Sequence, residues 1–284
     1  MNLVVARRKA ANAVASGLAA MACAVTLVCL VWIFHTLLAR GLGGLDAAFF
    51  NRLPQPWEAP GGGIANALAG TALLTGSAVA MGLPAGLLAG IYLAEYGRDC
   101  AVARSVRFVS DVLTGIPSIV VGVVAYALLV RPMGRFSGIA GAAALAVLML
   151  PVVTRTTEEM LAMVPGALRE SASALGAPAW TIVFRVSLRA ALPGIMTGVL
   201  LAVARVTGET AALLLTAFDS QHAATQPTGP TASLAVTTFA LAMSPRHDRQ
   251  QLAWTAALVL TAAVLLLTIV ARMLRPKVRW QPWR

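Results

Sequence analysis

Apolar residues fall into six long runs, separated by shorter segments that carry most of the charged residues and prolines. The runs lie at residues 11–39, 64–94, 112–130, 137–154, 194–217 and 252–274. A helix needs about 20 residues to cross the roughly 30 Å hydrocarbon core of a bilayer. Each run is close to that length or exceeds it, so the pattern predicts about six transmembrane helices.

The composition supports a membrane protein rather than a soluble one. Hydrophobic residues make up 58% of the chain, charged residues only 12%, and the mean hydropathy is +0.79. A soluble domain carries about 25% charged residues, so this chain has too little polar surface to face water. We therefore expect an all-α polytopic membrane protein in which residues 1–284 form a single transmembrane domain.

The net charge of +11 reflects membrane orientation more than nucleic-acid binding, because the basic residues sit at the ends of the apolar runs. If the N-terminus is inside, 15 Lys and Arg residues lie on the cytoplasmic side and 6 on the opposite side. The cytoplasmic side would comprise both tails and the loops near 95–111 and 155–193. Cytoplasmic loops of membrane proteins are enriched in Lys and Arg, so both termini are predicted to be cytoplasmic.

Glycines recur every four residues in two of the runs. They are Gly82, Gly86 and Gly90 in the second run, and Gly194 and Gly198 in the fifth. Small residues at this spacing let two helix backbones approach closely in a membrane. Both helices are therefore predicted to carry a close-packing face.

The predicted cytoplasmic loop 155–193 has structure of its own. Residues 170–176 read as a short helix that ends at Gly176, because glycine readily adopts the left-handed conformation that closes a helix. Residues 180–192 form an amphipathic run with Arg185 and Arg189 four residues apart. That run predicts a second helix lying at the membrane interface.

One arginine lies inside an apolar run. Arg205 is 11 residues beyond Gly194, near the middle of the fifth predicted span, and Glu209 follows four residues later. Residues at this spacing share a helix face, which predicts that the two charges neutralise each other. The pair could be a packing device without a ligand. Alternatively, it marks an anion pathway, because guanidinium donors match oxyanion geometry and the hydroxyls of Thr207 and Thr210 could assist.

Several stretches resemble a known family. The pattern Glu170-x-Ala172-x3-Gly176 resembles the EAA motif of ABC importer permeases. That resemblance implies that the loop forms a coupling helix which docks on a separate ATPase subunit. Further runs are similar to the PstA-type phosphate permeases of the same family, and they lie at residues 90–97, 114–122, 193–216, 240–245 and 250–254.

The resemblance covers roughly residues 64–275 and implies the type I importer permease fold and phosphate transport across a bacterial inner membrane. Its implied partners are a homologous permease, a pair of ATPase subunits and an extracytoplasmic phosphate-binding protein. It also places Arg205, Thr207, Glu209 and Thr210 along the substrate pathway. Neither Lys9 nor Lys277 follows a glycine, so the chain lacks the Gly-Lys step of a nucleotide-binding P-loop. ATP is therefore expected on the partner, with no cofactor or metal on this chain.

Three alternatives remain open at this stage. The substrate could be another oxyanion, such as sulfate, molybdate or phosphonate, because arginine chemistry does not separate them. An ion-coupled secondary transporter would show inverted repeats with interrupted helices, and the sequence shows no sign of them. An intramembrane hydrolase would need a His-Glu-x-x-His pair or a Ser/His dyad, which is also missing.

Overall fold

The computed structural model describes residues 2–55, 62–97, 100–222 and 227–273, and these residues form helices and connecting turns with no β-strand. The α-helices, in chain order, are α1 Asn2–Gly41, α2 Ala47–Asn51, α3 Ala65–Ile91, α4 Ala101–Gly115, α5 Ser118–Ala125, α6 Arg131–Met133, α7 Gly138–Ala162, α8 Gly166–Ala174, α9 Ala179–Thr181, α10 Leu188–Thr207, α11 Ala211–Thr216, α12 Leu234–Ala242 and α13 His247–Met273. Wider π-helical turns occur at Tyr92–Tyr96, Tyr126–Val130 and Ile182–Ser187.

Five helices in the described part of the chain are long and apolar enough to cross a membrane, and a bent pair makes a possible sixth. The predicted all-α architecture with about six spans is therefore confirmed. The last span is described as far as Met273. Of the basic residues counted for the C-terminal tail, Arg272 lies in the last turn of α13, and the others lie outside the described residues.

The third predicted span is broken, and this is a correction. The sequence pattern predicts a loop near 95–111 and a span over 112–130 with a bend or helix entry at Pro117, but α4 already begins at Ala101. The axes of α4 and α5 differ by 105°. The break falls at Ile116 and Pro117, where Ile116 is extended (ψ 131°), because proline disfavours helical geometry in the residue before it.

The fifth predicted span is also displaced. The interfacial helix predicted over residues 180–192 is not separate, because one helical segment runs from Ala179 through a π-helical turn to Thr207. The helix then ends, and residues 208–210 link it to the short α11. Hydropathy marks where the apolar part of a helix begins, whereas the helix itself starts in the polar segment before it.

A further helix lies where a loop was predicted over residues 218–251. The nine-residue α12 is too short to span a bilayer, and its first residues, Leu234 to Thr237, are buried. Ser233 caps its start by accepting a hydrogen bond from the backbone N–H of Val236. Apolar side chains pack here in a small core formed by Phe49, Ile64, Ala67, Ala232, Leu234 and Ala256.

The helix α7 lies at the centre, between α3 and α10, and the glycine repeats account for this. A methyl group added to Gly82, Gly86 or Gly90 would meet atoms of Ala146, Val153 or Thr157, all on α7. Methyl groups on Gly194 and Gly198 would meet Met160 and Thr156, also on α7. The predicted close-packing faces are therefore confirmed, and both lie against the same helix.

Candidate functional site

The predicted pathway residues lie at the break between α10 and α11. Arg205 and Thr207 are in the last turn of α10, whereas Glu209 and Thr210 belong to the link that follows. Gly208 ends the helix, with backbone angles of φ −92° and ψ 5°. The helical spacing that would place Arg205 and Glu209 on one face is therefore lost.

The predicted ion pair between Arg205 and Glu209 is not formed. Glu209 turns towards the next helix, where its Oε1 accepts a hydrogen bond from the backbone N–H of Ala211 at 3.2 Å. The Arg205 side chain is exposed, and among the described residues none makes a recorded hydrogen bond or ion pair with it. The guanidinium consequently keeps its five N–H donors free for a group outside the described chain.

The two threonines differ in what they can offer. The Thr207 hydroxyl donates to the backbone carbonyl of Val203 at 2.8 Å, one turn earlier in α10. A hydroxyl has one proton to donate, so in this arrangement Thr207 offers lone pairs but no donor. Thr210 is half-buried in the link, and its own carbonyl accepts from Leu214 at 2.9 Å.

The exposed guanidinium of Arg205 determines what this site can bind. The sequence pattern predicts Arg205 near the middle of the fifth span, but it lies in the last turn of the candidate span Ala179–Thr207, beside the helix break. A planar guanidinium binds oxyanions through paired, charge-assisted hydrogen bonds. The arrangement can therefore hold an anion beside the interrupted helix.

The second predicted site, at residues 170–176, lies on α8. Glu170 is on the exposed surface of this helix and Ala172 is half-exposed. Gly176 adopts the predicted left-handed conformation (φ +76°), and its backbone N–H donates to Ser173 at 2.9 Å. The predicted short helix closed by glycine is confirmed.

Several large apolar side chains around α8 are exposed rather than buried. The exposed fraction reaches 88% for Leu175 and 71% for Met163, and no residue of α8 itself is buried. Exposed apolar patches of this kind mark interaction surfaces. The surface formed by Met163, Leu168, Leu175, Trp180 and Phe184 is suited to a protein partner.

Sequence reasoning missed two arginines at this end of the bundle. Arg169, next to Glu170, pairs with Glu95 at 2.8 Å. Arg107 pairs with Glu158 at 2.6 Å and donates to the carbonyl of Leu93 at 3.1 Å. Both arginines and their partner glutamates fall in segments that the charge count assigns to the cytoplasmic side. That shared location was the one sign in the sequence that they could pair.

Metal binding has no support in the described ranges. Within them, no group of three or more His, Cys, Asp or Glu residues could hold a metal ion.

Comparison with known proteins is consistent with this geometry. Residues 82–280 match the family described as binding-protein-dependent transport system inner membrane components. The phosphate transport system permease protein PstA of Yersinia pestis is 48% identical over 248 residues, which cover 87% of this chain and 84% of that protein. The protein of the same name from Pasteurella multocida (strain Pm70) is 42% identical over 271 residues, which cover 95% and 96% of the two chains.

A solved structure shares the fold. A chain from a bacterial ABC transporter involved in the import of the acidic polysaccharide alginate superposes with a TM-score of 0.61. The match covers 90% of this chain and 95% of that chain at 16% sequence identity. The helical arrangement is therefore that of an ABC transporter chain.

Proposed function

Because this chain belongs to the family of binding-protein-dependent transport system inner membrane components, we propose that it is the permease subunit of an ATP-driven phosphate importer. It is a multi-pass inner-membrane protein, and it forms half of the translocation pathway together with a partner permease. ATP is hydrolysed on a separate partner chain rather than here. Residues 1–284 act as one permease domain, in which segment 155–193 makes the contact with the ATPase.

The observation that carries this proposal is the extent of the similarity to phosphate permeases. Identity of 42–48% extends over 87–95% of the chain, and the family match over residues 82–280 spans the helix break, α8 and the central glycines. This favours phosphate over sulfate, molybdate or phosphonate. The same relatives argue against an ion-coupled secondary transporter.

In the proposed pathway, Arg205 binds the phosphate as it passes the break between α10 and α11. The free guanidinium donates paired hydrogen bonds to phosphate oxygens, while Glu209 and Thr210 line the adjoining link. Thr207 forms part of the last turn of α10 and supplies no hydroxyl donor to the phosphate.

In the proposed assembly, α8 and its exposed apolar surface face the cytoplasm and dock on the ATPase, with Glu170, Ala172 and Gly176 at the contact. Both termini are then cytoplasmic. Phosphate arrives at the opposite face from an extracytoplasmic phosphate-binding protein. Closure of the ATPase dimer on ATP shifts the two permeases between inward-open and outward-open states, as alternating access requires.

The test is uptake of radiolabelled phosphate by cells that lack this chain and every other high-affinity phosphate system. Wild type should restore uptake, whereas Arg205→Ala should lower it about tenfold or more, since a hydrogen bond to a charged group contributes about 1.5–3 kcal/mol. The matched control is Arg104→Ala, which removes an exposed arginine of α4 that lies outside segment 155–193 and should retain uptake.

Uptake of sulfate and molybdate is measured in the same strains. If wild type restores uptake of sulfate or molybdate but not of phosphate, that anion is the substrate instead of phosphate. Full phosphate uptake by Arg205→Ala would instead remove Arg205 from the pathway and leave the substrate unchanged.

A further inference from the structure

The side chain of Arg169 joins α8 to three other parts of the bundle. Its guanidinium donates to Glu95 Oε1 at 2.8 Å, to the carbonyl oxygens of Leu161 at 2.8 Å and Val164 at 2.9 Å, and to Ser187 Oγ at 3.2 Å. Glu95 lies in the π-helical turn that follows α3, and Ser187 lies in the π-helical turn that precedes α10. Leu161 and Val164 lie at the end of α7 and in the turn after it.

The chemistry of this contact requires arginine. Three of its acceptors are a carboxylate and two carbonyls near the end of a helix, where backbone oxygens lack partners within the helix. A planar guanidinium presents five donors in a fixed fork, whereas lysine presents a single charged nitrogen. One arginine can therefore satisfy all four acceptors at once.

The contact is shielded from water. The exposed fraction of the side chain is 17% for Arg169 and 9% for Glu95, and Ser187 is fully buried. Removing one partner of such a pair leaves the other charge without compensation, which is far more costly than losing an exposed ion pair.

The rest of α8 is held much less firmly. None of its residues is buried, and the side chains of Ser171 and Ser173 bond only to carbonyls of Ala167 and Arg169 within the same helix. Arg169 is thus the residue through which α8 is attached to the ends of α3 and α7 and to the segment that leads into α10. That last segment continues to Arg205.

We propose that Arg169 is a positioning residue that couples α8 to the translocation pathway, so that displacement of α8 by the ATPase moves α3 and α10 with it. This inference rests on the proposed function, because it assigns the ATPase contact to α8. Without the Arg169 contacts, α8 can still bind the ATPase, but its movement no longer reaches the helix that carries Arg205.

The experiment uses the complete complex in proteoliposomes, with ATP hydrolysis and uptake of radiolabelled phosphate measured in the same vesicles. For Arg169→Gln, hydrolysis without the binding protein should stay within about twofold of wild type. Stimulation by the phosphate-loaded binding protein should be lost. The number of phosphates moved per ATP should fall at least about fivefold, which is the lower end of a typical coupling energy. Arg169→Lys should recover part of the ratio through its charge beside Glu95.

The matched control is Arg104→Gln, an exposed arginine of α4 that lies outside segment 155–193. The number of phosphates that it moves per ATP should equal that of wild type. An unchanged ratio and normal stimulation in Arg169→Gln would overturn the proposal.

A second variant covers the case in which Arg169→Gln does not assemble with the ATPase. Glu95→Gln keeps the size of the side chain and the other three contacts of Arg169, and we expect a smaller loss of the same ratio. If Arg169→Gln fails to assemble and Glu95→Gln retains the wild-type ratio, Arg169 only holds the fold and the proposal is wrong. If wild type itself neither moves phosphate nor responds to the phosphate-loaded binding protein, the proposed function fails; if wild type is coupled and Arg169→Gln matches it, only the role of Arg169 fails.

Discussion

The guanidinium of Arg205 and the hydroxyl of Thr207 lie two residues apart in the last turn of α10, yet their chemistry differs. Arg205 has no recorded partner in the described chain, whereas Thr207 donates to the carbonyl of Val203. A free donor can bind an incoming anion without first breaking an internal bond. At the residue scale, binding should therefore depend on Arg205 and be insensitive to the Thr207 hydroxyl.

This difference predicts that Thr207→Val retains phosphate uptake. Valine has the same branched shape as threonine, and the lost hydrogen bond contributes only about 1 kcal/mol to stability. We expect uptake within about twofold of wild type after normalising to the amount of protein in the membrane, with Thr207→Ser as the control. A loss comparable to that of Arg205→Ala would mean that the hydroxyl binds phosphate directly.

The sequence identified Arg205 as unusual but misjudged its partner. An arginine within an apolar run is visible to any hydropathy reading, because its cost in hydrocarbon does not depend on the details of the fold. Pairing with Glu209 assumed that the helix continued, whereas it ends at Thr207. The single glycine at 208 gave too local a signal to predict that break within an otherwise apolar run.

At the scale of elements, the glycines of α3 and α10 bring both helices close to α7. The contact at Gly86 leaves no room for a side chain. A methyl group on Gly86 would lie 2.8 Å from Val153 Cβ, and a β-carbon cannot rotate away as the end of a side chain can. The backbones would have to separate.

Gly86→Ala should therefore destabilise the protein, by about 1–3 kcal/mol if the cost resembles that of overpacking in other cores. The matched control is Gly76→Ala on the same helix, where an added methyl group meets nothing within 4 Å. The measurement is the thermal unfolding midpoint of the detergent-solubilised protein. Equal midpoints for the two variants would show that the α3–α7 contact adapts without cost.

The number of spans and their close-packing faces could be predicted because both follow from local spacing in the sequence. The helix boundaries could not be predicted in the same way. Residues 101–111 are helical although they are polar enough to resemble a loop, since a helix satisfies its backbone hydrogen bonds in water as well as in lipid. Residues 179–193 are helical as predicted, but they continue into the fifth span instead of forming a separate interfacial helix. The contacts of Arg169 could not be predicted from local spacing, because its partners Glu95 and Ser187 are 74 and 18 residues away along the chain.

At the scale of the whole molecule, much apolar surface has no partner among the residues that the structure describes. No residue is buried in the most apolar part of α1, which contacts the rest of the bundle chiefly through α13. An apolar groove of about 270 Å³ lies between the broken third span and α7. Both features fit a subunit that is covered by lipid and by a second permease.

The orientation of the bundle can be tested through Cys100, which lies directly before α4 on the α8 side. All three cysteines are exposed, but Cys23 and Cys29 lie within α1, a candidate membrane span, whereas Cys100 does not. Hydrogen bonds from the backbone N–H groups of Val102 and Ala103 lower the pKa of the Cys100 thiol. Because the thiolate is the reactive form, its alkylation should already be fast near neutral pH and should stop rising with pH earlier than for an ordinary thiol.

If α8 faces the cytoplasm, a membrane-impermeant maleimide should label Cys100 in inside-out vesicles and leave it unlabelled in intact cells. The protein for this measurement carries Cys23→Ala and Cys29→Ala, and Cys100→Ser supplies the background. Labelling in intact cells would place α8 outside. The ATPase could then not reach α8. The predicted orientation, the proposed ATPase contact at α8 and the coupling role of Arg169 would all be wrong.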